Sequence, residues 1–407
     1  MTNPQHPIQY SRLLRSWRGT LKTTTFILYE DILMSITNNK TTPHRFDVVG
    51  SFLRPAALKE ARLEYEKNNI SKSQLTDVED VCIRELVQKQ KDAGLAVITD
   101  GEFRRATWHL DFMWGFEGVG HSRTKNGLPF HGEAALLDDT YLTGKISLDK
   151  HPFIEHFKFV KSLEDENTVA KLTIPAPAQF LEQMIMPFDQ DNTTKYYSDN
   201  EELIQDIALG YRTFIRQAYD AGCRNLQFDD CSWGMCVDPN ANTIFQTNDA
   251  GLDTIMENLL LVNNLAIENK PKDLTVTTHV CRGNFHSTYA SSGSYDRVAS
   301  FLFTRENVSA YFLEFDDARS GGFEPLKYVT GNKKVVLGLI TTKSPKLEDK
   351  TNIIERIKEA AKIIPLERLC LSPQCGFASC EIGNKLTESQ QWEKIGLVKE
   401  IAEEIWK

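Results

Sequence analysis

Leu274-Thr275-Val276-Thr277-Thr278-His279-Val280-Cys281 is a run of β-branched residues that stops on two metal-ligating side chains. β-branched residues favour strands. Positions two apart on an extended segment project to the same side, so the imidazole of His279 and the thiol of Cys281 can reach one ion. Runs of the same kind recur on either side, at 46–52, 96–100, 169–174, 224–229, 309–314, 334–340 and 368–372, and longer amphipathic segments separate them. Strand and helix in alternation is the pattern of a parallel sheet wrapped by helices. With the opening stretch at 274–280 there are eight pairs, and the expected fold is α/β, a (β/α)8 TIM barrel.

The helical segments carry their own signals. Ser198 with Glu201, and Thr387 with Gln390, read as capping boxes. After Ser198, the residues Leu203, Ile207, Tyr211, Phe214, Ile215 and Ala218 recur at three- and four-residue spacing, which predicts one apolar face against the barrel. The stretch 101–167 is too long for a plain strand-to-helix connection. Turn signals at Lys125-Asn126-Gly127 and at Thr143-Gly144 mark it as an extended excursion between strands two and three, passing over the barrel mouth.

The chain has 407 residues, which suits one elaborated barrel. Its composition, 41% hydrophobic and 25% charged, is that of a globular chain, and no run of about 18 apolar residues offers a membrane span. A formal charge of −9 and the lack of a basic stripe give nucleic acid no reason to bind. Eight cysteines are too sparse for a disulfide scaffold, and no apolar leader precedes them, so a cytoplasmic location is expected. Arg12, Arg15, Arg18 and Lys22 stand among Ser and Thr, with acids only at Glu30 and Asp31 within the first 33 residues. That stretch fits either a transit peptide or an extended start before Met34. Residues 1–44 are expected as a disordered N-terminal arm and 45–407 as the barrel.

In such a barrel the site lies at the C-terminal ends of the strands. There the sequence offers His279 and Cys281 after strand five, Glu314 at the end of strand six, and Cys375 in the loop after strand eight. Mixed sulfur and nitrogen ligation at a tetrahedral centre favours Zn2+ over magnesium or calcium. A free thiol has a pKa of about 8.5, and zinc coordination strips its proton. The implied task is thiolate generation, with Glu314 as the ligand that gives way. Taken singly, each residue has a plainer explanation: a core histidine, buried cysteines, a strand-end glutamate paired with an arginine.

These residues resemble the C-terminal catalytic barrel of the cobalamin-independent methionine synthase family, over the chain after residue 44. Val49-Gly50-Ser51-Phe52 looks like that family's opening strand, Asp100-Gly101-Glu102-Phe103-Arg104-Arg105 like its second, and Leu226-Gln227-Phe228-Asp229-Asp230 like its fourth; the His-x-Cys, Glu and Pro-x-Cys-Gly elements follow in order. The resemblance implies that His279, Cys281, Glu314 and Cys375 hold zinc and that Ser51, Glu102 and Asp229 hold homocysteine. Two carboxylates suit an α-ammonium, and a strand-end serine beside backbone amides suits a carboxylate.

Two positions depart from the family pattern. Lys343, in Thr341-Thr342-Lys343-Ser344-Pro345, stands where the family has its proton-donor histidine. Phe180 is the only aromatic in Pro175-Ala176-Pro177-Ala178-Gln179-Phe180, where the family has a folate-stacking tryptophan. Trp108, Trp114 and Trp233 lie in segments expected at the mouth and are candidates to cover a donor, whereas Cys231, Cys236 and Cys380 are assigned to packing. The expected activity is zinc-dependent S-methyl transfer to homocysteine, giving methionine. Homocysteine and a methyl donor are the small-molecule partners, and folate, corrinoid and methylsulfonium donors are all open. The alternatives are a zinc thiol-transferase of another barrel family and a non-catalytic zinc- or thiol-binding barrel.

Overall fold

The computed structural model describes residues 42–124 and 128–407. The arm up to residue 41 and the Lys125-Asn126-Gly127 turn lie outside the described residues. Thr42 and Pro43, expected with the arm, are buried, and the Pro43 carbonyl accepts from Lys334 Nζ at 3.0 Å.

Among the described residues twelve strands follow in chain order: β1 Val97–Ile98, β2 Glu117–Ser122, β3 Leu128–Phe130, β4 Glu133–Ala135, β5 Asp139–Ser147, β6 Val169–Ala170, β7 Leu172–Pro175, β8 Asn225–Asp230, β9 Thr275–Val280, β10 Ala310–Glu314, β11 Lys334–Ile340 and β12 Leu369–Pro373. Strands β7 to β12 form one sheet in sequential order, each pair parallel, and β1 pairs with β6 in parallel. Only Lys171 separates β6 from β7, so the two halves of expected strand three join the sheets.

The ring is completed by residues 46–52, which do not form the regular strand expected there. Phe46 bridges Leu371 and the Phe52 amide donates to Gly101 O, but the backbone between them is claimed by side chains. Lys171 Nζ donates to Val48 O, Gln227 Nε2 to Val49 O at 2.8 Å, and Thr99 Oγ1 to Gly50 O at 2.7 Å, while Asp47 Oδ1 accepts from the Val48 amide. Every group satisfied this way is lost to a strand ladder. The expected strand 96–100 shrinks to β1 for the same reason, since the Gln90 side chain takes both the amide and the carbonyl of Thr99.

Helices cover the outside. In the helix Asn200–Asp220 all six residues of the expected apolar face are buried, and Tyr211 ties it to the end of β7 by donating to Pro175 O at 2.9 Å. Its N-cap is Asp199 rather than Ser198: the Asp199 carboxylate accepts from the Glu202 amide, leaving Ser198 one residue outside. The Thr387–Gln390 capping box opens the helix Glu388–Ile405 as expected. In the excursion β2 pairs antiparallel with β5, and β3 with β4. Thr143-Gly144 is not a turn but lies inside β5, where the register shifts opposite Glu117 and Val119. Among the described residues no helix is long and apolar enough to cross a membrane.

Inside the barrel, Val49, Phe312, Val336 and Cys370 form a small apolar cluster. The Lys171 ammonium sits 4.7 Å from the centroid of the Phe312 ring and 3.0 Å from Asp47 Oδ1, with both side chains of the ion pair 1% exposed. Deleting one partner of a buried pair strands the other, at a cost of about 3–5 kcal/mol. Asp47→Ala is therefore expected to lower unfolding stability by about that amount, whereas the double variant Asp47→Leu with Lys171→Met should recover most of it, as urea denaturation would measure.

Candidate metal centre and cavity

His279 is the penultimate residue of β9, which leads into Cys281; β10 ends on Glu314; the loop after β12 presents Cys375. All four are buried, and their ligand atoms lie within 4.8 Å of one another. The two sulfurs are 3.7 Å apart. His279 Nδ1 lies 3.2 Å from Phe312 O on the neighbouring strand, an arrangement that places the ring proton on Nδ1. Nε2 is then left buried without a hydrogen-bond partner of normal geometry, facing the Cys375 thiol. A metal ligand of this kind has its other nitrogen anchored by a carbonyl.

Glu314 is braced from behind. Its Oε1 accepts from the Arg282 amide at 2.9 Å, its Oε2 lies 3.3 Å from Arg319 Nη2, and its own amide donates to Tyr295 Oη at 3.0 Å. The Cys375 thiol is pushed well above its ordinary range by its hydrogen bond with Cys281 and by burial; Cys281 is raised as well, first by its hydrogen bond with Cys231. Crowded, buried, proton-retaining thiols beside an unpartnered imidazole nitrogen are a donor set that a soft divalent cation completes.

The cluster opens into a cavity of about 860 Å³ that is also lined by Ser51, Glu102 and Asp229. Glu102 follows Gly101 and takes φ +61, a left-handed conformation that costs a glutamate about 1–3 kcal/mol. Asp100 Oδ1 holds its amide, and Arg54 Nη2 its carbonyl, at 2.8 Å each. The strained turn aims the carboxylate inward, where Oε1 accepts from Thr173 Oγ1 at 3.1 Å and Oε2 is buried without a partner. Asp229 stands in register with His279 across β8 and β9, and Gln227 Nε2 donates to its Oδ1 at 2.7 Å. Burial raises both carboxyls to about 7. Ser51 Oγ accepts from the Ala378 amide at 3.3 Å, which leaves its own proton available to a ligand. At Gly376 an added Cβ would fall 1.9 Å from that oxygen, so only glycine lets the loop after β12 approach Ser51 this closely.

The structure thus brings seven of the eight singled-out residues together. The eighth, Lys343, is neither an exposed loop lysine nor part of the cavity wall: its side chain is 10% exposed, and Nζ lies 3.0 Å from Asp316 Oδ2. Asp316 in turn contacts Arg319, which reaches Glu314. Of the aromatics, Trp108 lines the cavity, Trp114 stacks on His121 and donates to Thr140 Oγ1, and Trp233 and Phe180 are fully buried. Cys231 and Cys380, read as packing residues, also line the cavity, and Cys231 lies against Cys281.

Sequence reasoning passed over Gln179 and Glu182. They sit on the helix Pro177–Ile185, which starts directly after β7 with proline in its first turn, so its opening residues face the mouth. Their three-residue spacing on one helix face was the available signal. Burial pushes Glu182 up to about 8.

With this geometry in hand, comparison with known proteins is informative. Residues 46–127 and 189–394 match the family model for the catalytic domain of cobalamin-independent synthases. The uncharacterized protein YxjH of Bacillus subtilis is 41% identical over 369 residues, 90% of this chain and 96% of that protein. A methionine synthase of Sulfolobus acidocaldarius is 21% identical over 81% of this chain and 84% of its own length. Among solved structures, one from Listeria monocytogenes assigned as a vitamin-B12 independent methionine synthase superposes with a TM-score of 0.71 at 37% identity, covering 90% of this chain and 98% of the other. A B12-independent methionine synthase from Shewanella, solved with selenomethionine, gives 0.65 at 19% identity, covering 89% and 97%, and bears on the fold. The described ring of strands, the order of its strand-end residues and these matches agree: the chain belongs to the cobalamin-independent methionine synthase catalytic-domain family and has its TIM-barrel fold.

Proposed function

We propose that this protein is a zinc-dependent S-methyltransferase that converts homocysteine to methionine, with zinc held by His279, Cys281, Glu314 and Cys375. The observation that carries the reading is a four-ligand cluster, with an unpartnered imidazole nitrogen, opening into the same cavity as Ser51, Glu102 and Asp229. When bound there, zinc supplies Lewis acidity that keeps an entering thiol deprotonated at neutral pH. The selenomethionine in the Shewanella structure is the selenium analogue of the product proposed here.

The remaining work falls to the chain. Glu102 and Asp229 take the α-ammonium of homocysteine; burial raises both carboxyls even with Arg105 Nη1 3.5 Å from Glu102 Oε1, so a further cation between them is favoured. The Ser51 hydroxyl, held by the Ala378 amide, donates its proton to the substrate carboxylate. Held by both charged groups on its α-carbon, the amino acid extends its thiol toward the cluster, and alignment of this kind contributes several kcal/mol, roughly 7–11 at the upper end. Glu314 is suited to be the ligand that yields to the incoming sulfur, because the Arg282 amide and Arg319 already stand ready to hold its oxygens.

Two outcomes test this reading. Cys375→Ser is expected to lose zinc on dialysis and to lose homocysteine binding while keeping the far-UV circular dichroism of the parent; full metal occupancy by elemental analysis would overturn the ligand assignment. Glu102→Gln is expected to keep zinc but to weaken homocysteine binding by about 1.5–3 kcal/mol, roughly ten- to hundred-fold, as expected when a charged hydrogen-bonding partner is removed. The shift of a cobalt-substituted protein's thiolate absorption on titration with homocysteine reads out that affinity without needing a methyl donor.

A further inference from the structure

Apart from the acceptor residues, the wall of the same cavity has a chemistry of its own. Trp108, Phe130, Met186 and Met235 provide aromatic and thioether surface, and Glu182 and Asp238 provide carboxylates. Among the described residues no lysine or arginine lines it. Glu182 is 5% exposed, and its Oε2 accepts from Gln179 Nε2 at 2.9 Å; among the described residues no cationic side chain pairs with it. Asp238 is held by backbone donors, Oδ1 by the Asn240 amide at 2.8 Å and Oδ2 by the Ser292 amide at 3.0 Å. Of the lining imidazoles outside the cluster, His109 is kept neutral by burial, which lowers it to about 3, and His131 is stacked on Tyr289. Carboxylate or phosphate groups on a donor would find no side-chain cation among the described lining residues to receive them. Aromatic faces, polarisable thioethers and unpaired carboxylates instead suit a soft cation.

We propose that the methyl donor is a small methylsulfonium cation, bound in this cavity by Glu182 and Asp238 against the aromatic and methionine wall. The inference rests on the S-methyltransferase reading above and names its second substrate class. In the step, the thiolate sulfur of homocysteine forms a bond to the methyl carbon while the bond from that carbon to the sulfonium sulfur breaks. The electron pair of the broken bond stays on the donor sulfur, which departs as a neutral thioether. No proton moves, and one negative and one positive charge cancel beside a mainly apolar wall, where low dielectric favours the transition state.

The test uses zinc-loaded protein in two arms. In the first, without homocysteine, calorimetry measures binding of trimethylsulfonium, which has no carboxylate or ammonium for the acceptor residues to hold and cannot transfer its methyl group under those conditions. The expected result is saturable binding, weakened at least ten-fold in Glu182→Gln and, should that variant fold poorly, in Met186→Lys, which adds a cation to the wall at a partly exposed position. In the second, with homocysteine, trimethylsulfonium, a methyltetrahydrofolate and methylcobalamin are offered separately and methionine is quantified. Product from the sulfonium alone is expected. Product from the folate or methylcobalamin alone, or sulfonium affinity unchanged in both variants, overturns the donor assignment while the acceptor reading stands. Failure of homocysteine to shift the cobalt–thiolate absorption would remove the acceptor reading, and the donor assignment with it.

Discussion

Everything at the mouth of this barrel depends on the parallel register of β8, β9 and β10. Asp229, His279 and Phe312 stand in one row across the three strands. The row sets the imidazole beside the carbonyl that holds its Nδ1, and it sets the proposed substrate carboxylate beside the imidazole. Two residues on, the chain delivers Cys281 and Glu314 to the same level. A slip of one position in any of these strands would turn the alternate side chains inward and dismantle the cluster. Register is enforced by the apolar residues packed on both faces of the sheet, so the stability of the core and the geometry of the site are one constraint.

The site is also a place where unfavourable terms are concentrated. Glu102 occupies a left-handed backbone conformation, two carboxyls are raised to about 7 by burial, two thiols are raised beside each other, and an imidazole nitrogen is left without a partner. Each costs stability, and under the proposed function each is relieved by a ligand of opposite character, a divalent cation for the cluster and an ammonium for the carboxylates. The supporting shell is by contrast well satisfied. Tyr295, Arg282 and Arg319 brace Glu314, while Asn384 and Asn284 form side-chain bonds to each other and to the loops after β11 and β12. A rigid surround lets the strained groups keep their positions.

Much of this was legible in the amino-acid order. Alternation of β-branched runs with amphipathic segments indicated the barrel, and the strand-end positions of His279, Cys281, Glu314 and Cys375 indicated the cluster, because strand direction and the two-residue repeat are local properties. Residues 46–52 read as a strand because their side chains suit one. The loss of regular pairing there comes from Lys171, Gln227 and Thr99, which reach the backbone from distant positions in the chain. Likewise, the Ser198 and Thr143-Gly144 readings failed on competition: Asp199 is the cap instead, and a register shift in β5 absorbs the glycine.

What the sequence by itself determined is therefore the alternation of elements, the apolar faces, and which chemistry-bearing side chains sit at strand ends, since periodicity and local propensity encode these directly. Tertiary structure alone decided which of those side chains meet, which are partnered and which are left bare. Lys343 is drawn to Asp316 and away from the cavity, Cys231 and Glu182 are brought into it, and Nε2 of His279 is left without a partner. The physical reason is that partnership and burial are properties of groups far apart in the chain, set by how the barrel closes, and no spacing rule along the sequence contains them.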